Sequence, residues 1–244
     1  LIRYWLTAKP DEQFDLKVKA INNLYQQAPE LARKGERTIS TDELTGVQAL
    51  ERKNLGLPMR PGKVERREFE YQRHGTQSFI FSFDVAEGEI REVSCGNTRT
   101  EADFAAHIQG LVESEPTVRK WHFVVDNLNI HLSESLVRFV ADESDLDIDL
   151  GKKRREGILK DKKSRAAFLS DPSHRIVFYY TPNHASWMNQ IEIWFSILVR
   201  KVLKRGNFTS VKDLKAKVPA FIEYYNRTMA KPFKWTYKGK ALAA

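Results

Sequence analysis

The sequence predicts an α/β protein built on a mixed sheet with helices on both faces, and three observations lead there. An early pair of β-prone runs is separated by a tight turn, as in a hairpin. Later, short apolar runs alternate with amphipathic segments of helical period, the pattern of strand–helix units. One of these runs, residues 121–126 (WHFVVD), is continuously apolar up to its last residue, as expected of a central buried strand.

Pro10 and Asp11 open the first helix, whose Phe14, Val18, Ile21 and Tyr25 share one face. Residues 28–37 are polar and read as a connector, and residues 38–41 are a short β-prone run ending at Asp42. Residues 51–75 are rich in Arg, Lys, Pro and Gly without a period, and read as a surface loop. Residues 78–85 and 89–94 are the hairpin strands around the turn Ala86-Glu87-Gly88. Thr100 caps the next helix together with Asp103, and Phe104, Ile108, Leu111 and Val112 form its apolar stripe. After the strand at 121–126, Ser133 caps a helix that uses Leu136, Val137 and Val140, and residues 175–180 form another strand. Residues 188–204 predict a strong helix with Ile191, Phe195, Leu198 and Val202 on one face. Arg200, Lys201, Lys204 and Arg205 near its end complement the helix dipole, and Gly206 stops it. A last helix starts near Thr209 and carries Val211, Leu214, Val218, Ile222 and Tyr225, with Pro219 expected to kink or split it.

Composition narrows the function classes. The net charge of +8 favours a polyanionic partner, because Lys and Arg that neutralise phosphates release counterions. A single cysteine, Cys95, excludes an internal disulfide and a zinc site of several thiolates, which fits a reducing cytosol. No apolar run approaches the ~20 residues that span a bilayer, so no membrane role is expected. The first ten residues lack the apolar core of a signal peptide and an initiator Met, so the chain reads as a fragment. No glycine-rich phosphate loop indicates a nucleotide cofactor, no G-x-S-x-G elbow is present, and the six histidines show no tight zinc spacing. The one compositional anomaly lies at 142–165. Residues 142–149 hold five acids and no base, whereas 152–165 hold eight Lys or Arg against two acids, a net +6.

Three carboxylates attract a catalytic reading. Asp126 ends the apolar strand, where α/β proteins place their sites, although an Asp followed by Asn127 is equally a turn former. Glu192 lies within an amphipathic helix among Ile191, Ile193, Trp194 and Phe195, on a narrow polar side shared with Asn189 and Ser196. Asp42 follows a strand too short for alternation to decide between it and Glu43. Hard oxygen ligands from three separate elements suit Mg²⁺ or Mn²⁺, and two such ions would serve both the attacking and the leaving oxygen. Asp84 is a rival first ligand, but its place before Glu87-Gly88 favours a turn. Asn127 and His131 could orient a metal-bound water or simply hold the loop. Asn183, His184 and Asn189 are expected to approach DNA ahead of the helix. Lys152, Lys153, Arg154, Arg155, Lys162 and Lys163 are expected to touch the DNA backbone, the alternative being neutralisation of the acidic run before them. In the tail, Phe233, Trp235 and Tyr237 are expected to pack, and Lys234 and Lys238 to meet phosphate.

The segments STDELTGVQALER around Asp42, WHFVVDNLNIH around Asp126 and YTPNHASWMNQIEIWF around Glu192 resemble the bacterial insertion-sequence branch of the mariner-like transposases. The third segment is the most specific, and the likeness runs from about Trp5 to the C-terminus. The resemblance implies a ribonuclease-H-like fold in which Asp42, Asp126 and Glu192 are the metal ligands. It implies cut-and-paste movement of double-stranded DNA, usually into a TA dinucleotide. Hydrolysis would free a 3′ hydroxyl that then attacks target DNA, with a homodimer acting on paired element ends at the bacterial nucleoid. The expected organisation is an N-terminal helix and linker (1–37), a catalytic domain (38–230) and a tail (231–244). Two departures stand out. Asp126 and Glu192 are separated by 65 residues, about twice the family's commonest spacing, which predicts an insertion at about 142–174. Residues 1–37 offer one clear helix, so the helix-turn-helix modules that normally read element ends are expected outside this chain.

Overall fold

In a computed structural model, which describes residues 11–54, 56–66 and 68–237, a five-stranded sheet in the order β3-β2-β1-β4-β5 separates two layers of helices. The chain runs α1 (Phe14–Arg33), β1 (Glu36–Arg52), β2 (Tyr71–Asp84), β3 (Glu89–Gly96), α2 (Glu101–Ser114) and β4 (Lys120–Val125). It continues through α3 (Glu134–Glu143), α4 (Lys162–Leu169), β5 (Ile176–Tyr180), α5 (Ile191–Leu198) and α6 (Val211–Thr228). β1 pairs antiparallel with β2, and β2 with β3, whereas β4 lies parallel to both β1 and β5. This is the mixed sheet that the hairpin and the later alternation predict.

Strand alternation sorts the core into two halves. Phe79, Phe81 and Phe83 of β2 and Val124 of β4 pack with Val18, Ile21 and Tyr25 of α1, Trp194 of α5 and Val218 of α6. Ile80 of β2 and Trp121, Phe123 and Val125 of β4 pack on the other face, with Phe104 and Ile108 of α2, Val137 of α3 and Leu169 of α4. Successive side chains of a strand point to opposite faces, so Trp121, Phe123 and Val125 feed one half and Val124 the other, while the buried His122 pairs with Glu36.

Several boundaries differ from the sequence reading. α1 runs on through Pro29 to Arg33, because Val18, Ile21, Leu24, Tyr25 and Ala28 bury a continuous stripe that outweighs one missing backbone donor. α6 likewise spans Pro219 unsplit, with Leu214, Val218, Ile222 and Tyr225 buried; expected to start near Thr209, it begins at Val211 with Ser210 as its cap. β1 is 17 residues long, so Asp42 lies within a strand and not at its end. The helix expected over 188–204 begins only at Ile191, after a 3₁₀ turn (Ser186–Met188), and passes into a π-helix over Val199–Leu203. The caps at Thr100 and Ser133 form as expected: Thr100 and Asp103 make a reciprocal capping box, and Ser133 Oγ accepts from Leu136 N at 3.2 Å. In the tail, Phe233 stacks on Phe83 with ring centroids 4.9 Å apart, Trp235 meets Tyr25, and Tyr237 meets Trp187. Pro10, the signal-peptide reading of the first ten residues and Lys238 lie outside the described residues. No described helix is long and apolar enough to cross a membrane.

Candidate active site

The last parallel pair of β1 and β4 is Ser40 with Val124, and two residues further along the chain come Asp42, still within β1, and Asp126, just past the end of β4. Neighbouring strands lie about 4.8 Å apart, so equal register brings the two carboxylates side by side where the parallel pairing of β1 and β4 ends. Both share the parity of residues that face α5, whose first turn carries Glu192. The charge of Asp126 acts on both of the others. Burial, and then the charge of Asp126, push the Asp42 carboxyl up to about 7. Burial and the charge of Asp126 also raise Glu192. Burial works against the charge of Asp126 as well, but hydrogen bonding and attraction to His131 outweigh it and hold that carboxyl below its ordinary value.

Asp42 is placed by a buried polar lock. Asn189 is fully buried; its side-chain oxygen accepts from Ser40 Oγ, and its Nδ2 donates to Thr41 O at 2.9 Å and to Asp42 Oδ2 at 3.3 Å. Ser40 Oγ in turn accepts from Ile191 N at 2.8 Å, supplying the N-terminal cap that Gln190 does not provide for α5. Tyr25 Oη donates to Met188 O at 2.9 Å and accepts from Gln190 N at 3.3 Å, tying the same loop to α1. Asn189 is therefore no DNA-facing residue: its amide is consumed in registering the loop before α5 against β1. A polar residue flanked by Met188 and Gln190 gave no sign in the sequence of which way it points.

Glu43 takes the opposite face. His131 Nε2 lies 2.9 Å from Glu43 Oε1, and His131 Nδ1 lies 2.8 Å from Asp126 Oδ1. Burial opposes a charge on this ring, but the two carboxylates outweigh it and hold its pKa up to about 10. The imidazole thus donates to both and clamps Asp126 to β1. Arg99, in the loop before α2, comes within 3.9 Å of Glu43. The D-E and D-N-x-x-x-H patterns were visible in the sequence, but their pairing was not, and nothing there marked Arg99. Asn127 donates from Nδ2 to Thr181 O at 2.5 Å, holding the loop after β4 against the loop after β5. Asp84 accepts from Ala86 N and Glu87 N, at 2.9 and 3.2 Å, as a turn residue does.

The remaining predicted residues fall in three places. His184 is exposed, has φ 60°, and shares an open cleft of about 370 Å³ with Asp126 and Asn127. Lys152, Lys153, Arg154 and Arg155 are exposed on a tight turn closed by Gly151 and Gly157, both at positive φ and packed so closely that a Cβ on either would strike the other strand of the turn. Lys153 pairs with Glu101 at 2.8 Å, which sets this turn beside the loop of Arg99. Among the described residues no ion pair joins it to the acidic run; Glu143 of that run pairs with Arg175 instead. Lys162 and Lys163 are exposed in the first turn of α4, a helix that the sequence did not reveal, and Lys163 borders a separate cleft between α1 and α4. Arg165, from the same basic run, is buried and donates to Leu132 O at 2.6 Å and Leu159 O at 2.8 Å.

A family model described as DDE superfamily endonuclease matches residues 37–215. The chain belongs to the DDE superfamily endonucleases. Solved structures with the same fold include a crystal structure of the Mos1 mariner paired-end complex with Mn, at 12% identity and TM-score 0.53, covering 93% of this chain and 61% of that one. The Mos1 transposase catalytic domain with Raltegravir and Mn matches at 10% identity and TM-score 0.52, covering 92% of this chain and 90% of that one. The Mos1 strand transfer complex matches at 14% identity and TM-score 0.52. The chain thus has the ribonuclease-H-like fold and spans about three fifths of the longer Mos1 chains. No curated protein matches it. The donor set of this endonuclease-family candidate site fits a divalent metal: three carboxylates, one of them buried, two of them raised by the charge of the third, with no Lys or Arg ion-paired to Asp42 or Glu192 among the described residues.

Proposed function

We propose that this chain is the catalytic domain of a DNA transposase, with Asp42, Asp126 and Glu192 as the ligands of two Mg²⁺ or Mn²⁺ ions. The observation that carries the reading is the equal register of Asp42 and Asp126 beyond the last parallel pair, with Glu192 close enough for its carboxyl to feel Asp126. When bound, such ions activate an attacking oxygen and stabilise a leaving one in phosphoryl transfer. The protein's own contribution is placement. The Asn189 lock fixes Asp42, the His131 clamp fixes Asp126, and the rigid α5 presents Glu192. Exposed Lys152–Arg155 and His184 would hold the duplex by its backbone at the mouth of the site, and Lys162 and Lys163 would extend that surface. Cut-and-paste movement into TA sites, joining by a freed 3′ hydroxyl and assembly as a homodimer on paired ends complete the reading.

The test is incubation of the full-length protein with duplexes bearing the element's terminal repeats. Mg²⁺ or Mn²⁺ is expected to support cleavage and strand transfer, and Ca²⁺ to support binding only, because its looser coordination holds the reacting oxygens less rigidly. Asp42→Asn, Asp126→Asn and Glu192→Gln should each lower cleavage by ~10³-fold or more, several kcal/mol of lost transition-state stabilisation, while the circular dichroism spectrum stays native. Robust cutting by the Asp126→Asn protein would overturn the assignment. The family description as an endonuclease favours one second reading, cutting without joining, which the same assay separates by the absence of joined products.

A further inference from the structure

The outward side of α5 continues beyond Glu192. Ser196 and Arg200 follow one and two turns on, both exposed, and Arg200 Nε donates to Ser196 O at 3.0 Å. The chain then enters the π-helix, where Lys204 N donates to Val199 O at 2.8 Å across the wider turn. A π turn inserted in a helix is rare and is often found at functional sites. Here it opens the helix where Arg200 and Lys201 converge with Arg205 on one cleft of about 460 Å³, completed by Ile197 and Met229.

Among the described residues no carboxylate lines this cleft, and no acidic residue occurs in the sequence between Glu192 and Asp213. Among the described residues none of Arg200, Lys201, Lys204 and Arg205 forms an ion pair, although Lys34, Lys53, Arg138 and Lys217 each do. The helix dipole accounts for a cation or two in a last turn, but not for their convergence on one acid-free cleft. The cleft on the other side of Arg205 differs: there Arg52, Asn54 and Lys204 are accompanied by Glu65 and Glu68. The surplus of positive charge therefore belongs to Arg200, Lys201 and Arg205.

At 1.5 Å per residue, Arg200 lies about 12 Å along the helix axis from Glu192. A duplex carries one negative charge per ~1.7 Å of its length, so DNA seated at the carboxylates and running along α5 would present several phosphates there. We propose that Arg200, Lys201 and Arg205 form a second phosphate cradle, which grips the DNA backbone a few base pairs from the bond being cut. Ile197 and Met229 give the aliphatic stems an apolar floor. The proposal rests on the transposase reading only for the position of the cut.

The experiment measures binding of a fluorescently labelled random-sequence duplex over a series of salt concentrations in EDTA, where no cutting occurs. Arg200→Gln/Lys201→Gln/Arg205→Gln should weaken binding equally on unrelated sequences. It should also flatten the plot of log affinity against log salt by about 2 to 3, at ~0.9 for each phosphate that the protein no longer neutralises. Arg200→Lys/Arg205→Lys, which keeps the charge, should retain the wild-type slope. An unchanged slope in the triple variant, or a flattening that the lysine variant shares, overturns the cradle. If the wild-type protein never cuts DNA and the slopes still behave as expected, the cradle stands and the transposase reading falls. If it cuts and the slopes are unchanged, the reverse holds.

Discussion

Asn189, in the buried lock beneath Asp42, and the basic turn at Lys152–Arg155 both drew attention as DNA contacts, and the two regions are built in opposite ways. In the lock, Asn189, Ser40 and Tyr25 are buried and spend their polar atoms on one another and on the backbone of β1 and the loop before α5. In the turn, the two glycines fix the backbone while the charged side chains lie exposed, Lys153 in a surface ion pair with Glu101. A group that positions a carboxylate must be over-determined, because an unpaired buried polar atom is costly. A group that meets phosphate must stay free until phosphate arrives. The two regions should therefore fail differently when changed: the lock through geometry and stability, the turn through binding and salt.

The strongest break in this contrast comes from the clamp that faces the lock across β1. Glu43→Gln leaves His131 with one carboxylate, and cleavage is expected to fall ~10- to 100-fold, the usual cost of losing a group that orients a metal ligand. Duplex binding in EDTA should be unchanged, and equal losses in both assays would place Glu43 in DNA binding instead. Next is Asn189→Ala, which takes the acceptor from the Ser40 hydroxyl and the side-chain donor from the Thr41 carbonyl. Thermal unfolding should report a loss of about 2 kcal/mol, accompanied by slower cleavage. A variant of wild-type stability that loses only DNA affinity would restore Asn189 to the DNA surface. Arg165→Ala sharpens the comparison within the basic run itself. It leaves the Leu132 and Leu159 carbonyls unpaired, so a similar loss of about 2 kcal/mol is expected with no change in salt slope. The smallest effect on the folded protein comes from replacing Lys152, Lys153, Arg154 and Arg155 by Ala. Stability should stay within about 0.5 kcal/mol of wild type, while the salt slope falls by ~0.9 for each phosphate left without its cation. A steep fall in melting temperature with an intact slope would make the turn structural.

The sequence alone was sufficient for the layered α/β architecture, because strands buried on two faces and helices buried on one impose different hydrophobic periods. It also located three carboxylates worth testing, since their local segments carry the family likeness. The ends of elements were less legible. Residues 28–37 read as a connector and Pro219 as a kink or split, yet buried stripes on α1 and α6 carry the helices through Pro29 and Pro219. Asp42 and Glu43 could not be separated while the strand seemed four residues long. Only the pairing of β1 with β2 and β4 shows that one side chain turns towards α5 and the other towards His131. In the same way, charge alone made Arg165 resemble Lys163, and polarity alone made Asn189 resemble His184. Composition records which groups a chain carries, whereas burial depends on the packing of residues distant in sequence. Ser40 and Asn189, or Glu43 and His131, meet only when the sheet and its two helical layers close around them.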